Sequence, residues 1–277
     1  MSQLNVNNIT KYTGGEVVVN DASEDVDFRV ESDGNANMLT VNAGSNLVGI
    51  AADPDLGAGL HIKTGDSGAS VASNADELVI EGSSVSGMSI LSANDSNGRI
   101  SFGDDGDNDI GFIRYNHADN SFNFTTNTAQ AINIDSSGAV TKPLQPAFSA
   151  HVASNVDPGT DGNYNVPYAS EVFDNNADYN NGTYTFTAPV TGRYLFATTV
   201  RGYDVATSFS LDHRITTSNG IYYGNIGRYY SDQYVSTVVS LANMDASDTA
   251  IVSINSSESS FYISGDTYSY FHGHLVC

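Results

Sequence analysis

Gly182-Thr183-Tyr184-Thr185-Phe186-Thr187-Ala188-Pro189-Val190-Thr191-Gly192-Arg193-Tyr194-Leu195-Phe196 decides the fold class. Tyr184 and Phe186 alternate with threonines, so a strand here has one aromatic face and one hydroxyl face. Pro189 ends the ladder because it has no N–H to donate. Val190-Thr191-Gly192 reads as a tight turn, and a second alternating strand runs on through Tyr194 and Phe196. The expectation is a hairpin corner with a stiff aromatic inner face.

Working outward, further strand-sized motifs flank this corner. Pro146-Ala147-Phe148-Ser149-Ala150 and Val172-Phe173-Asp174-Asn175 precede it, and Phe209-Ser210-Leu211 follows it. Ser240-Leu241-Ala242-Asn243-Met244, a turn at Asp245-Ala246-Ser247-Asp248 and Thr249-Ala250-Ile251-Val252 come next, and Phe271-His272-Gly273-His274-Leu275 closes the series. In this order the motifs resemble the complement component one-q globular-head family, a jelly roll related to the tumour-necrosis-factor fold. The turn departs from the family pattern, which has glycine where this chain has Ser247. The resemblance covers roughly the last 130 residues and implies a trimeric, ligand-binding head.

Composition narrows the rest. Of 16 tyrosines, Tyr12 and Tyr115 alone precede residue 146, and Trp is absent. Large rings bury the most apolar area each, so residues 1–145 are poor material for an ordinary single-chain core. Lys142-Pro143-Leu144-Gln145-Pro146 reads as the boundary, since two prolines so close cannot lie inside a sheet.

Before that boundary the strand-sized pieces are short. They are Leu4–Val6, Glu16–Val19, Asp27–Val30, Met38–Val41, Leu47–Ile50, Leu60–Ile62, Leu78–Ile80, Met88–Leu91, Arg99–Phe102, Ile110–Tyr115, Ser121–Phe124 and Ala131–Ile134. They recur about every ten residues between Gly, Asn, Asp and Ser turns. Such thin strands bury too little surface to offset chain entropy. Three copies wound about one axis supply the missing neighbours. The fold expectation is therefore all-β: a start segment at 1–25, an elongated, intertwined trimeric β-shaft at 26–145, and a jelly-roll β-sandwich head at 146–277.

Residues Phe28 to Asn35, Leu47 to Ile50, Gly98 to Asp104, Gly111 to Phe122 and Ile132 to Val140 resemble bacteriophage tail-fibre and virion-appendage sequences. That resemblance implies a particle-surface location, assembly in the host cytoplasm and contacts with other virion proteins.

Charge and cysteine usage exclude several classes. Residues 1–145 carry 20 acidic against 6 basic groups and residues 146–277 carry 12 against 4, for a net charge of −22. Such a surface repels phosphates and anionic lipid, so nucleic acid is not an expected partner. No run approaches the roughly 18–20 apolar residues of a membrane helix, so membrane insertion is not expected. Cys277 is the single cysteine, which rules out an intrachain disulfide and suits a reducing cytosol. The first residues lack a basic start and an apolar stretch, so no secretory signal is expected.

Three candidate sites emerge. Tyr222, Tyr223, Tyr229, Tyr230 and Tyr234 with Arg228 form the densest aromatic cluster. Exposed, such rings stack on sugars while polar neighbours take the hydroxyls; buried, they fill a core or a subunit interface. Asp105, Asp107 and Asp109 have the alternate spacing of a Ca2+ loop, but Ile110 stands where the helix-loop-helix version needs glycine. A solvated turn is the plain alternative there. His272 and His274, on one side of a strand, could meet at a threefold axis, or serve as ordinary interface histidines.

No Gly-x-Ser-x-Gly elbow, His-Glu-x-x-His helix or phosphate-binding glycine loop is present, so an enzyme is not expected. The functional expectation is a trimer that adheres to a host surface glycan or protein. A purely structural virion part, with the head serving only to trimerise, is the alternative.

Overall fold

The protein's structure, a computed structural model, describes residues 28–277 apart from 53, 56–58, 160–161, 204–208, 225–226, 230–232 and 258–259. The start segment expected at 1–25, with its strands at Leu4–Val6 and Glu16–Val19, lies outside the described residues. Every regular element among the described residues is a strand. They group into two compact units, one ending at Leu91 and one running from Ser92 to Cys277.

The first unit holds one sheet in the order β1 (Phe28–Val30), β2 (Leu39–Asn42), β3 (Leu47–Ile50), β4 (Leu60–Lys63), β5 (Leu78–Glu81). β1 to β3 are antiparallel. β3, β4 and β5 are parallel, with Ile50, Ile62 and Ile80 in register. Asn42 Oδ1 accepts the Ser45 N–H and Asn46 takes a φ of 60°, so asparagines build the β2–β3 turn. Met88–Leu91 forms no strand, and Leu91 is 91% exposed.

The second unit begins with an antiparallel meander of β6 (Asn97–Phe102), β7 (Gly111–Asn116), β8 (Ser121–Thr126), β9 (Ala129–Ile134) and β10 (Val140–Thr141). Asn127 and Thr128, both at positive φ, make the two-residue turn between β8 and β9. Strand pairing changes at the proline-rich segment expected as a boundary. Gln145 Nε2 there donates to the Leu275 carbonyl at 3.1 Å, tying the segment to the last strand.

The rest is a two-sheet sandwich. Its strands are β11 (Ala147–Val152), β12 (Gly162–Asn165), β13 (Ser170–Asp174), β14 (Tyr179–Asn180), β15 (Thr185–Thr187), β16 (Gly192–Tyr203), β17 (Phe209–Thr217), β18 (Gly220–Tyr223), β19 (Gly227–Tyr229), β20 (Gln233–Met244), β21 (Thr249–Ser256), β22 (Tyr262–Ile263) and β23 (Asp266–Leu275). One sheet runs β13-β11-β23-β16-β20, with β22 beside β16. The other runs β14-β15-β21-β17-β18, with β12 on β21 and β19 on β17. The chain passes repeatedly from one sheet to the other, which is jelly-roll connectivity.

The corner that decides the fold differs from a hairpin. β15 pairs with β14 and β21, whereas β16 pairs with β20, β22 and β23, so the corner carries the chain between sheets. Phe186, Tyr194 and Phe196 still share one interior, each fully buried, with ring centroids 5.4–5.5 Å from Phe186 to the other two. Tyr184 leaves the expected strand: it sits at a φ of 59° in the turn and is half-buried. Asn180 Oδ1 accepts the Gly182 and Thr183 N–H groups and holds that turn.

Burial is sharply partitioned. Apart from Pro54 and Pro146, Leu47 is the one hydrophobic side chain buried before residue 148 among the described residues, while the sandwich buries a continuous cluster from Phe148 to Phe271. That matches the uneven supply of rings.

Candidate functional site

Strand alternation sets what the outer face of the six-stranded sheet that holds β20 presents. β20 alternates without a break, burying Tyr234, Ser236, Val238, Ser240, Ala242 and Met244. Val235, Val239 and Leu241 therefore point outward, 59%, 63% and 53% exposed. The register builds rows across four strands. Ala147, His274, Leu195 and Leu241 form one row, and Ser149, His272, Ala197 and Val239 the next. This half of the face is mainly aliphatic.

His272 and His274 do share this face. His272 bonds Ser149 Oγ through Nδ1 at 2.8 Å, and burial lowers its pKa below the usual histidine value. His272 thus has one ring nitrogen engaged within the chain, and aliphatic side chains share the row of each imidazole.

At the other end of the same strands the face turns polar. A cleft of about 570 Å³ is lined by Arg201, Tyr203, Gln233, Asp266 and Tyr268 among others. The Arg201 guanidinium lies 4.4 Å above the Tyr268 ring and donates from Nη2 to Gln233 Oε1 at 3.1 Å. Tyr203 stacks on Tyr262 with centroids 5.4 Å apart. A guanidinium has five N–H donors in a planar fork. The cleft thus combines a cation, an amide and ring faces, a set suited to a hydroxyl-rich or carboxylate-bearing ligand.

Of the expected tyrosine cluster, the described side chains divide between the core and the surface. Tyr222 turns inward on β18 and packs against the core, while its neighbour Tyr223 points outward, 48% exposed. Arg228 and Tyr229 stand on β19, and Tyr230 lies outside the described residues. Tyr234 is 3% exposed, its ring over Gly202, where no Cβ would fit, and edge-on to Phe261. It is a core residue and offers no stacking surface.

Nor do Asp105, Asp107 and Asp109 converge. Asp107 Oδ1 accepts the Asp109 N–H, and Asp109 pairs with Arg99 at 3.1 Å. Asp104 instead holds the loop, accepting the Gly106 and Asp107 N–H groups, which lower its pKa. Asp104 and Asp107 serve the turn's own backbone and Asp109 is turned to Arg99, so the three aspartates do not assemble the ligand set of a Ca2+ loop. Among the described residues, the group that does bring metal-ligating atoms together is Asp55, His61 and Glu81 in the first unit.

Neither the cleft nor that trio was visible as a motif. Arg201, Gln233 and Tyr268 come from three strands, and the usable signal was only that each is a lone polar or amphipathic residue at a strand end.

A family model for the C1q domain matches residues 147–276. Solved structures similar to this chain include the globular domain of zebrafish complement 1qA protein, at 17% identity, covering 48% of this chain and 98% of that one with a TM-score of 0.36. Murine APRIL, at 9% identity and a TM-score of 0.36, covers 48% of this chain and 99% of its own. Eiger TNF from S. frugiperda, at 13% and 0.33, covers 48% and 94%. No curated protein matches the chain. The C1q match and the jelly-roll strand order fall on the same segment, residues 147–276.

Proposed function

We propose that the protein is a non-enzymatic bacteriophage virion appendage that trimerises and binds a host surface glycan or protein through its C-terminal head. The observation that carries the trimer is the outward aliphatic face of β20 and β16, with Val235, Val239 and Leu241 exposed and Leu195 half-buried in a single chain. Large exposed apolar patches mark interaction surfaces. The first 145 residues support the same reading, since Phe28, Leu78, Ile100 and Phe102 are all more than 40% exposed and need neighbouring copies to cover them. Residues 1–145 then form the shaft, and the likeness of several segments there to phage fibres supports a virion location.

The Arg201–Tyr268 cleft is the receptor contact in this reading. It lies on the polar half of the same face, away from the aliphatic rows. Three heads on one stem gain avidity of about 10²–10⁴ over a single site. The second reading, a head that only trimerises, is favoured by the burial of Tyr234 and the inward turn of Tyr222.

Sedimentation and adsorption test both. Wild type sediments as a trimer at micromolar concentration, and Val239→Asp with Leu241→Asp gives single chains; a folded, single-chain wild type refutes the proposal. Purified trimer blocks adsorption of the virus to its host, and Arg201→Ala with Tyr268→Ala abolishes that block while leaving the trimer intact. A trimer that never blocks adsorption supports the purely structural reading.

A further inference from the structure

β4 and β5 of the first unit each carry an interruption of an apolar strand. His61 lies between Leu60 and Ile62, and Glu81 follows Leu78-Val79-Ile80. Both are buried, His61 at 1% and Glu81 at 5% exposure. Burying such groups is costly unless each finds a partner. The parallel register brings Lys63 opposite Glu81, and His61 Nε2 lies 3.0 Å from Glu81 Oε2. Glu81 Oε1 is held by the Ser67 N–H at 2.7 Å and the Ser67 hydroxyl at 2.8 Å. The Lys63 ammonium lies 3.4 Å from Glu81 Oε2, so both oxygens of this carboxylate are held in place.

The other ring nitrogen is left over. His61 Nδ1 is buried with no hydrogen-bond partner, and Asp55 Oδ1 lies 3.5 Å from it. That separation is too long for a good N–H···O bond, which spans about 2.7–3.2 Å. It fits a shared metal ion: two bonds of about 2.1 Å meeting at a tetrahedral angle place their donors about 3.4 Å apart. The Nε2 side already has the arrangement that metal-binding histidines use, the second ring N–H donated to a fixed carboxylate.

We infer that Asp55, His61 and Glu81 form a site for a borderline divalent cation such as Zn2+ or Co2+. His61 Nδ1 and the Asp55 carboxylate ligate it, and Glu81 orients the imidazole. Imidazole with carboxylate suits these ions better than Ca2+, which prefers oxygen donors alone. Lys63 is the built-in competitor. Its ammonium contacts Asp55 at 2.7 Å and Glu81 at 3.4 Å, neutralising them when no metal is bound. Asp55 is 57% exposed on its side chain, so a cation reaches the site from solvent as Lys63 swings out.

The test is titration of the full-length protein with Co2+ followed by its visible absorption, then displacement by Zn2+, in excess Mg2+ to occupy the acidic surface. Wild type saturates at one ion per chain at this site. His61→Ala removes that saturable component, and Asp55→Asn, at an exposed position with little risk to folding, weakens it at least tenfold. Glu81→Gln weakens binding about 10–100-fold. Lys63→Met tightens binding, because the competing charge is gone; a purely structural ion network predicts no such gain. Equal Co2+ binding by wild type, His61→Ala and Asp55→Asn overturns the site, and weaker binding by Lys63→Met overturns the competition.

Discussion

Gly273 is the sharpest place to test the sandwich, because it faces inward on β23 beneath two phenyl rings. A Cβ built on it would lie 2.5 Å from Phe148 Cε1 and 2.6–2.7 Å from two atoms of Phe196. Ordinary contact begins at 3.4 Å, so in Gly273→Ala both rings must retreat by most of an ångström. Neither is free to do so. Phe148 is stacked on Tyr179 at 4.6 Å and on Phe186 at 5.1 Å, while Phe196 is flanked by Phe186 at 5.5 Å and Phe271 at 5.8 Å. Overpacking a dense core costs about 1–3 kcal/mol, and two pinned rings put this site at the upper end. Replacing glycine within a strand returns about 0.5–1 kcal/mol of chain entropy, leaving a net loss of about 2 kcal/mol. For a domain of this size that lowers Tm by roughly 6–12 °C. Gly220→Ala is the control, since its nearest neighbour is 4.0 Å away, and it should stay within about 0.5 kcal/mol of wild type. Calorimetry or near-ultraviolet circular dichroism reads both. A Gly273→Ala protein melting within about 2 °C of the parent refutes the packing described for β11, β16 and β23.

Other perturbations have equally definite outcomes. Ser247 adopts a φ of 76°, a left-handed conformation that costs a non-glycine residue roughly 1–2 kcal/mol; Ser247→Gly should raise head stability by about 0.5–1 kcal/mol in denaturant titration after the added chain entropy. His213 is fully buried, bonded to Ser236 Oγ at 3.1 Å, and burial pushes its pKa down to about 4. The unfolded chain therefore takes up a proton that the fold refuses, so stability present above pH 6.5 drains away as pH falls toward 4. Between pH 6.5 and 5 the loss is about 2 kcal/mol, and His213→Gln should flatten that slope in thermal melts. Tyr234→Ala should destabilise the head by about 3–5 kcal/mol, and a variant that stays fully stable would put that ring outside the core.

The alternation from Tyr184 to Phe196 placed Phe186, Tyr194 and Phe196 inward, as they are, but also Tyr184, which sits half-buried in a turn. It was silent on which strand lies beside which. Period-two patterning is a property of one strand, and the same inward face serves a hairpin or a step between sheets. The choice falls to long-range pairing, here β15 on β21 and β16 on β20 and β23, which no local window contains. The division of rings was more informative. With two tyrosines before residue 146 and fourteen after, the supply of bulky side chains anticipates a head with a core and a first half without one.

Sequence clusters were poor guides to sites, for reasons that strand geometry makes plain. Adjacent residues in a strand face opposite ways, so a pair such as Tyr222-Tyr223 places one ring in the core and one in solvent. Closely spaced aspartates in a turn satisfy the turn's own N–H groups before any ligand, as Asp104 and Asp107 do. Isolated polar residues inside apolar strands behave differently. Their burial is expensive, so the fold retains them only with partners, and the partners arrive from other strands. Leu60-His61-Ile62 and Leu78-Val79-Ile80-Glu81 each contain one such intruder, and the two meet at 3.0 Å. In a β chain rich in acid, the informative charge is the solitary one that an apolar run had no local reason to contain.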